Sequence, residues 1–472
     1  MAQTIQSKVS LKEKIGYGFG DAASSMFWKI FTFYLAIFYT DVFGIPAAAA
    51  GTMFLVTRIW DTANDPIMGI IGDRTNTKWG KFRPYLLWIA FPFAIIGVLL
   101  FTTPNLDVTG KIVYAYITYT LMMMVYTAIN VPYASLLGVM TAKSTERTSF
   151  ASYRMVFAFA GSLLVVALFQ PLVDGFNSLE MVDISTAYQL TMVVIGLIAV
   201  GFFLLTFSWT RERITPPKDQ KNNLKEDLKN LAGNIPWFVI LGAGVMTLIF
   251  NSVRDGVAMY YFKYYISNDI TSESALVFSR MTFALSTFYI FLGQATNMIG
   301  VMMAKPISAI IGKRVTFISA MFTAAALSSL FFYLTRDNLF LIFTLQAMIS
   351  FCAGIIFPLM WAMYADAADY SQWKTGRRAT GLVFSASSMS QKLGWTLGGS
   401  ITLWLLAYFG FQANVEQNPE TIQGIKLMMS YVPGIAALIS GIFMIFYKLS
   451  DAKMEKIITD LDNRREMEEI NN

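Results

Sequence analysis

The chain has 472 residues, of which 55% are hydrophobic and only 14% charged, against about 25% charged for a soluble domain, so a water-soluble fold is excluded. The net charge of +6 does not indicate a nucleic-acid partner, because the basic residues cluster in short loops between apolar runs, as the positive-inside bias of membrane proteins requires. One cysteine, Cys352, and no histidine exclude an internal disulfide, a His/Cys metal centre and the usual imidazole proton shuttle, which leaves carboxylates as carriers of protons or cations.

Apolar runs of about 20 residues, each enough to cross a bilayer, recur along the whole chain. Twelve spans are predicted, near 15–41, 46–71, 84–103, 111–138, 149–172, 187–209, 236–265, 279–303, 314–334, 338–365, 379–409 and 425–448. The polar N-terminus, Met1 to Ser10, has no signal-peptide core, so the first run is expected to be retained. The expected domains are a six-helix half over 1–209, a cytoplasmic middle loop over 210–235, a second six-helix half over 236–449 and a cytoplasmic tail over 450–472.

Span one carries Asp21, Ser25 and Lys29, spaced by four and therefore on one helix face. That face either lines a polar cavity or lets the aspartate and lysine neutralise each other. Span two is the most informative stretch, Arg58-Ile-Trp-Asp-Thr-Ala-Asn-Asp-Pro-Ile-Met-Gly69. Ionisable groups in hydrocarbon cost about 2.5–3.5 kcal/mol each on insertion scales, so they mark pathways or buried pairs. Asp61 and Asp65 share a face with Asn64 beside them, an oxygen-rich set suited to a hard cation. A structural pairing of Arg58 with Asp61 would leave Asp65 without an explanation. Pro66 is expected to loosen the helix and expose carbonyl oxygens. In span four, Thr127 is a candidate extra ligand, while Tyr126 and Asn130 could meet a sugar.

Arg154 in span five, Arg254 in span seven and Lys392 in span eleven are cations in apolar surroundings. Each needs a carboxylate or a substrate as partner. Arg254 and its neighbour Asp255 point in different directions and are not each other's best partner. Trp361, Trp395, Tyr126 and Tyr153 could stack on a sugar ring, although packing explains most aromatics in spans.

Two loops are dense in opposite charge. One contains Asp73, Arg74, Lys81 and Arg83; the other contains Asp366, Asp369 and Arg377. Both suit salt bridges that close one side of a transporter and break as it opens. Of the 36 Lys and Arg residues, 26 fall on the side of the termini and middle loop, 4 on the other side (Lys111, Lys263, Arg336 and Lys426) and 6 within or at the ends of spans. This bias predicts that both termini are cytoplasmic. The halves look duplicated, since Lys143–Ser149 before span five echoes Lys374–Thr380 before span eleven, and Gly80–Arg83 echoes Gly312–Arg314. Duplication places a substrate site near the midplane. In the tail, Met454, Ile457, Ile458 and Leu461 recur at helical spacing and predict a surface helix. No catalytic triad or phosphate-binding loop occurs, so an enzyme is not expected.

Tyr17–Gly20, Tyr39–Gly44, Gly51–Val56, Arg58–Gly69, Trp79–Lys81 and Asp366–Lys374 are motifs in a fixed order along nearly the whole chain. In this the sequence resembles the glycoside–pentoside–hexuronide:cation symporters, the melibiose-permease group of the major facilitator superfamily. The resemblance implies an all-α, twelve-helix membrane protein of a bacterial inner membrane that moves a sugar with a coupling cation, works as a monomer among membrane lipids and needs no cofactor. It implies that Asp61, Asn64, Asp65 and Thr127 hold sodium, lithium or a proton, with sodium coupling feasible. It places Arg154, Lys392, Ser387 and Ser388 close to the sugar or cation. Two aspartates that hold a galactoside in melibiose permease are replaced by Ser25 and Asn130, and a bordering tryptophan by Ala134. A galactoside is therefore not expected, and another glycoside, a pentoside or a hexuronide stays open, with Arg254 a candidate for a uronate carboxylate. A sugar-binding receptor without transport and a carrier of a non-sugar substrate are the alternatives.

Overall fold

A computed structural model describes residues 9–141, 144–213, 233–267, 280–375 and 380–470. Its contacts divide the chain into two compact units, one of Met1–Asp219, Ile270–Thr287 and Gln412–Val415, the other of Gln220–Asp269, Phe288–Phe411 and Glu416–Asn472. The described residues are overwhelmingly helical, with a single isolated bridge, Thr77 to Gly80, in place of any strand.

The first unit begins with α1, Leu11–Phe33, whose N-terminus is closed by a capping box of Ser10 and Glu13. The helix continues through Leu35–Ile37 into a π-turn, Phe38–Val42, with a 49° bend on the way. Then come α2 (Ala47–Arg74), α3 (Arg83–Trp88 and Ala90–Leu100), α4 (Val108–Met140), α5 (Ser144–Asn177) and α6 (Ile184–Trp209). Asp107 and Asp183 cap α4 and α6, where polar loops re-enter apolar segments. The backbone of α2 runs as one helix through Pro66.

The second unit holds α7 (Ile235–Tyr260, prolonged by a π-segment Tyr261–Ser267), most of α8 (Arg280–Ile311), α9 (Lys313–Leu330), α10 (Leu339–Thr375), α11 (Thr380–Tyr408), α12 (Pro419–Met429 and Tyr431–Ile445) and α13 (Asp451–Ile470). The rods α1–α6 and α7–α12 match the twelve predicted spans. Among the described residues, seven helices are long and apolar enough to cross a membrane by composition alone, eight with the bent α1. Helix α2 is not among them, because Arg58, Asp61, Asn64 and Asp65 lower its hydropathy.

The two units repeat one packing scheme. In the first, α1 packs on α5 and α6, and α3 on α6; in the second, α7 packs on α11 and α12, and α9 on α12. Close approach is made by small residues, as lipid-embedded helices require. A Cβ at Gly161 of α5 would lie 2.5 Å from the Ala22 carbonyl of α1, and one at Gly398 of α11 would lie 2.4 Å from Ser252 of α7. The tail helix α13 buries Met454, Ile457 and Leu461 and leaves Ile458 exposed. Trp373 of α10 donates to Asp460 at 3.0 Å, which ties the tail to the second unit.

Candidate functional site

The predicted cation ligands meet in the first unit. Asp61 and Asp65 stand one turn apart on α2, and Thr127 faces them from α4. The Thr127 hydroxyl lies 2.8 Å from Asp61 Oδ1 and 3.0 Å from Asp65 Oδ1. Asp61 and Thr127 are each 2% exposed, so the cluster sits out of bulk solvent. Arg58 Nη1 is 3.7 Å from Asp61 Oδ2, and its guanidinium lies 4.4 Å from the centre of the Trp28 ring. This cation–π contact braces the arginine against α1. Asn64 is half-buried on the same helix.

The Thr127 hydroxyl is shared between the two carboxylates and draws them together across α2 and α4. Three oxygens converge there, the type of donor that small hard cations take.

Beside this cluster, Arg154 of α5 grips Asp21 of α1 with two hydrogen bonds, Nε to Oδ2 at 3.1 Å and Nη2 to Oδ1 at 3.3 Å. The guanidinium also lies 5.3 Å from the Tyr133 ring. Tyr133 stacks on Tyr17 with centroids 4.7 Å apart and donates to the Tyr17 carbonyl at 2.6 Å. The sequence left open a polar cavity or mutual neutralisation of Asp21 and Lys29; in the structure Arg154, from another helix, holds the Asp21 carboxylate. Lys29 lies over the Phe33 ring. Asn130 accepts from Ser24 at 2.7 Å and donates to the Tyr126 carbonyl at 2.9 Å. Ser25, the neighbour singled out from the sequence, is half-buried. Tyr126 packs 5.8 Å from Trp28. Ser24, Trp28, Tyr17 and Tyr133 thus join the site without having been picked out as its members, although Trp28 sits four residues after Ser24 and could have been found from that spacing.

The candidates of the second unit are placed differently. Arg254, 5% exposed, donates to Tyr289 Oη at 2.8 Å, Gln346 Oε1 at 2.7 Å, Ser328 Oγ at 3.4 Å and the Met429 carbonyl at 3.2 Å. Its face lies 4.8 Å from the Phe331 ring. Four side chains, Tyr289, Gln346, Ser328 and Phe331, and the Met429 carbonyl surround the guanidinium. Ser387 is fully buried and accepts from Trp237 Nε1 at 3.3 Å. Lys392 is half-buried on α11. The side chain of Ser388 lies outside the described residues.

Among the predicted gating residues, Lys81 and Arg83 are organised by a group not singled out from the sequence. Glu212 accepts from the backbone N–H groups of Lys81 at 2.9 Å, Phe82 at 2.8 Å and Arg83 at 2.9 Å. The carboxylate fills the nest before α3, the ready-made anion seat of a helix start. Gly80, at φ +111°, leaves the room: a Cβ there would fall 2.5 Å from the Glu212 carboxylate. Arg83 also donates to the Phe207 carbonyl at 2.6 Å. Arg213 binds Glu13 at 2.7 and 2.9 Å. Glu212 and Arg213, assigned from the sequence to the middle loop, are thus part of the first unit's packed end. Arg74 is exposed. In the second unit Asp366 pairs with Lys313, which also lies 3.7 Å from Asp451 of the tail helix. Asp369 is half-buried on the same face end of α10. The Asp73 side chain and Arg377 lie outside the described residues.

Comparison with known proteins agrees with this architecture. A family model described as "MFS/sugar transport protein" matches residues 16–451. The inner membrane symporter YicJ of Escherichia coli is 35% identical over 96% of this chain and 95% of its own length. The isoprimeverose transporter of Lactiplantibacillus pentosus is 32% identical over 98% of this chain and 94% of its own. Among solved structures, a bacterial homolog of the human lysosomal transporter Spinster superposes with a TM-score of 0.68 at 12% identity, over 98% of this chain and 99% of that one, a likeness of fold. The chain therefore belongs to the major-facilitator sugar-transport family, as a multi-pass membrane transporter and not an enzyme.

Proposed function

We propose that the protein is a sugar:cation symporter in which Asp61, Asp65 and Thr127, with Asn64, bind the coupling ion, and Asp21, Arg154, Tyr126 and Asn130 meet the sugar. The observation that carries this reading is the single Thr127 hydroxyl set 2.8 and 3.0 Å from two carboxylates. Sodium or lithium would sit among the three oxygens, which are the hard donors such ions take. A proton would instead sit on Asp65, so the site suits either drive.

The sugar side is supported by its neighbours. The Asp21–Arg154 fork offers an acceptor and several donors in one plane, which matches a pair of sugar hydroxyls. Trp28 bridges the two regions, since its ring lies 4.4 Å from the Arg58 guanidinium and 5.8 Å from the Tyr126 ring. Binding a cation lowers the negative charge on α2, loosens the hold of Arg58 on Asp61 and shifts Trp28 and Tyr126 towards the sugar. Coupling then follows from differential affinity of the two states for the ion. A glycoside or pentoside is the favoured cargo, in line with the transport of isoprimeverose by a relative. Both termini are cytoplasmic in this reading, and the membrane is a bacterial inner membrane.

Radiolabelled uptake into vesicles with a panel of sugars, under imposed sodium, lithium or proton gradients, tests it. Accumulation against a gradient that depends on one of these cations is expected. Binding without uptake would make the protein a receptor, and uptake indifferent to every cation gradient would refute symport.

A further inference from the structure

Cations are scarce at the end of the chain opposite the termini, with four of 36 Lys and Arg residues there. Two of these four, Arg336 in a short helical turn and Lys426 in α12, 90 residues apart, line one cavity of about 470 Å³ in the second unit. The volume falls in the range of small-molecule sites, about 300–1,000 Å³. Its floor is aromatic. Lys426 Nζ lies 5.0 Å from the Tyr265 ring centre and 5.2 Å from that of Phe332, and the Arg336 guanidinium lies 6.0 Å from Tyr265. Tyr265 is fixed from beneath by its hydrogen bond to the Leu334 carbonyl, 2.7 Å. Gln423 and Glu416 complete the wall.

Neither cation forms an ion pair among the described residues. Both are partly held by ring faces, an interaction of about 0.5–1 kcal/mol at exposed sites that leaves their N–H donors available. With the rings holding the cations in place, the Gln423 amide and the two cations form a seat for hydroxyls and an anionic group. We infer that this pocket is a second binding site, for a carboxylate-bearing sugar, separate from the Asp21–Arg154 region. Glu416 on the rim tempers it, reducing the pocket charge from two positive to one, and selects a sugar with one carboxylate over a more highly charged anion. The inference rests on the sugar-transport reading for its purpose, but the site stands on its own geometry.

Saturation-transfer NMR on the full-length protein in phosphatidylcholine nanodiscs, with D-glucuronate as probe and D-glucose as its neutral match, tests it. Glucuronate is expected to bind and glucose to bind at least about tenfold more weakly, since rim charge steers and retains the anion. Arg336→Gln with Lys426→Gln is expected to weaken glucuronate about tenfold, and the charge-preserving pair Arg336→Lys with Lys426→Arg to keep it within about twofold. Glu416→Gln is expected to tighten glucuronate about twofold to fivefold, a gain that a misfolded variant would not give. Arg154→Gln is expected to leave this signal in place. The inference is overturned if the wild-type protein binds no glucuronate, if the signal survives loss of both cations, or if it is lost with Arg154→Gln. Equal binding of glucose, or displacement of glucuronate by phosphatidylglycerol added to the discs with greater effect than by unlabelled glucuronate, also overturns it, the latter in favour of a lipid headgroup. Absence of neutral-sugar uptake by the wild-type protein would instead count against the symport reading and leave this binding result intact.

Discussion

Both units place an arginine inside the membrane, and they treat it differently. In the first, Arg58 and Arg154 lie against carboxylates, Asp61 and Asp21, within a polar cluster that also holds Asp65 and Thr127. In the second, every described hydrogen-bond partner of Arg254 is neutral. One packing scheme, two kinds of chemistry. Carboxylates paired with cations respond to an added ion, because a sodium or proton changes which partner each one prefers. A guanidinium held by a phenol, an amide, a hydroxyl and a carbonyl has no carboxylate among its described hydrogen-bond partners. On the proposed reading the first unit senses the coupling ion and the second holds its own shape during the cycle.

The sharpest way to break this contrast is Asp65→Asn, which removes charge at the cation cluster and keeps the shape. Accumulation is expected to collapse to simple equilibration, with the protein folded as judged by size-exclusion and thermal unfolding. Concentrative uptake at the wild-type level would remove Asp65 from the coupling site. Next in size, Arg254→Met leaves Tyr289 and Gln346 without their donor and should lower stability by about 1–3 kcal/mol. In transport assays the cation dependence of that variant should match the wild type; a changed ion preference would show that the second unit also takes part in coupling.

Thr127→Val deletes one oxygen and should raise the half-saturating cation concentration about tenfold, equivalent to about 1.4 kcal/mol. An unchanged value would mean that the two aspartates suffice. The smallest expected effect is that of Ser24→Ala, which frees Asn130 from one hydrogen bond of about 1 kcal/mol. A shift of a few-fold in sugar half-saturation, without change in cation dependence, would assign Asn130 to the sugar side. A change confined to cation dependence would move it to the ion side.

Much of the frame was legible in the sequence because its rules are local. Hydrophobic length marked the twelve spans, and the period of 3.6 put Asp61, Asn64 and Asp65 on one side of α2. The tail helix followed from Met454, Ile457 and Leu461. Local rules could not say that Ser24 and not Ser25 would reach Asn130, since one residue of helix rotation decides it. They were also silent on Glu212, whose partners are three backbone N–H groups with no side-chain signature.

What the sequence by itself determined, then, is which elements form and which polar groups must be buried in them. Partnership was decided only by the tertiary structure. Asp21 meets Arg154 across 133 residues, as Thr127 meets Asp61 across 66. Those meetings depend on the azimuth and depth at which helices cross, set by contacts such as Gly161 against Ala22. Burial makes an ionic group need a partner, and only packing supplies one.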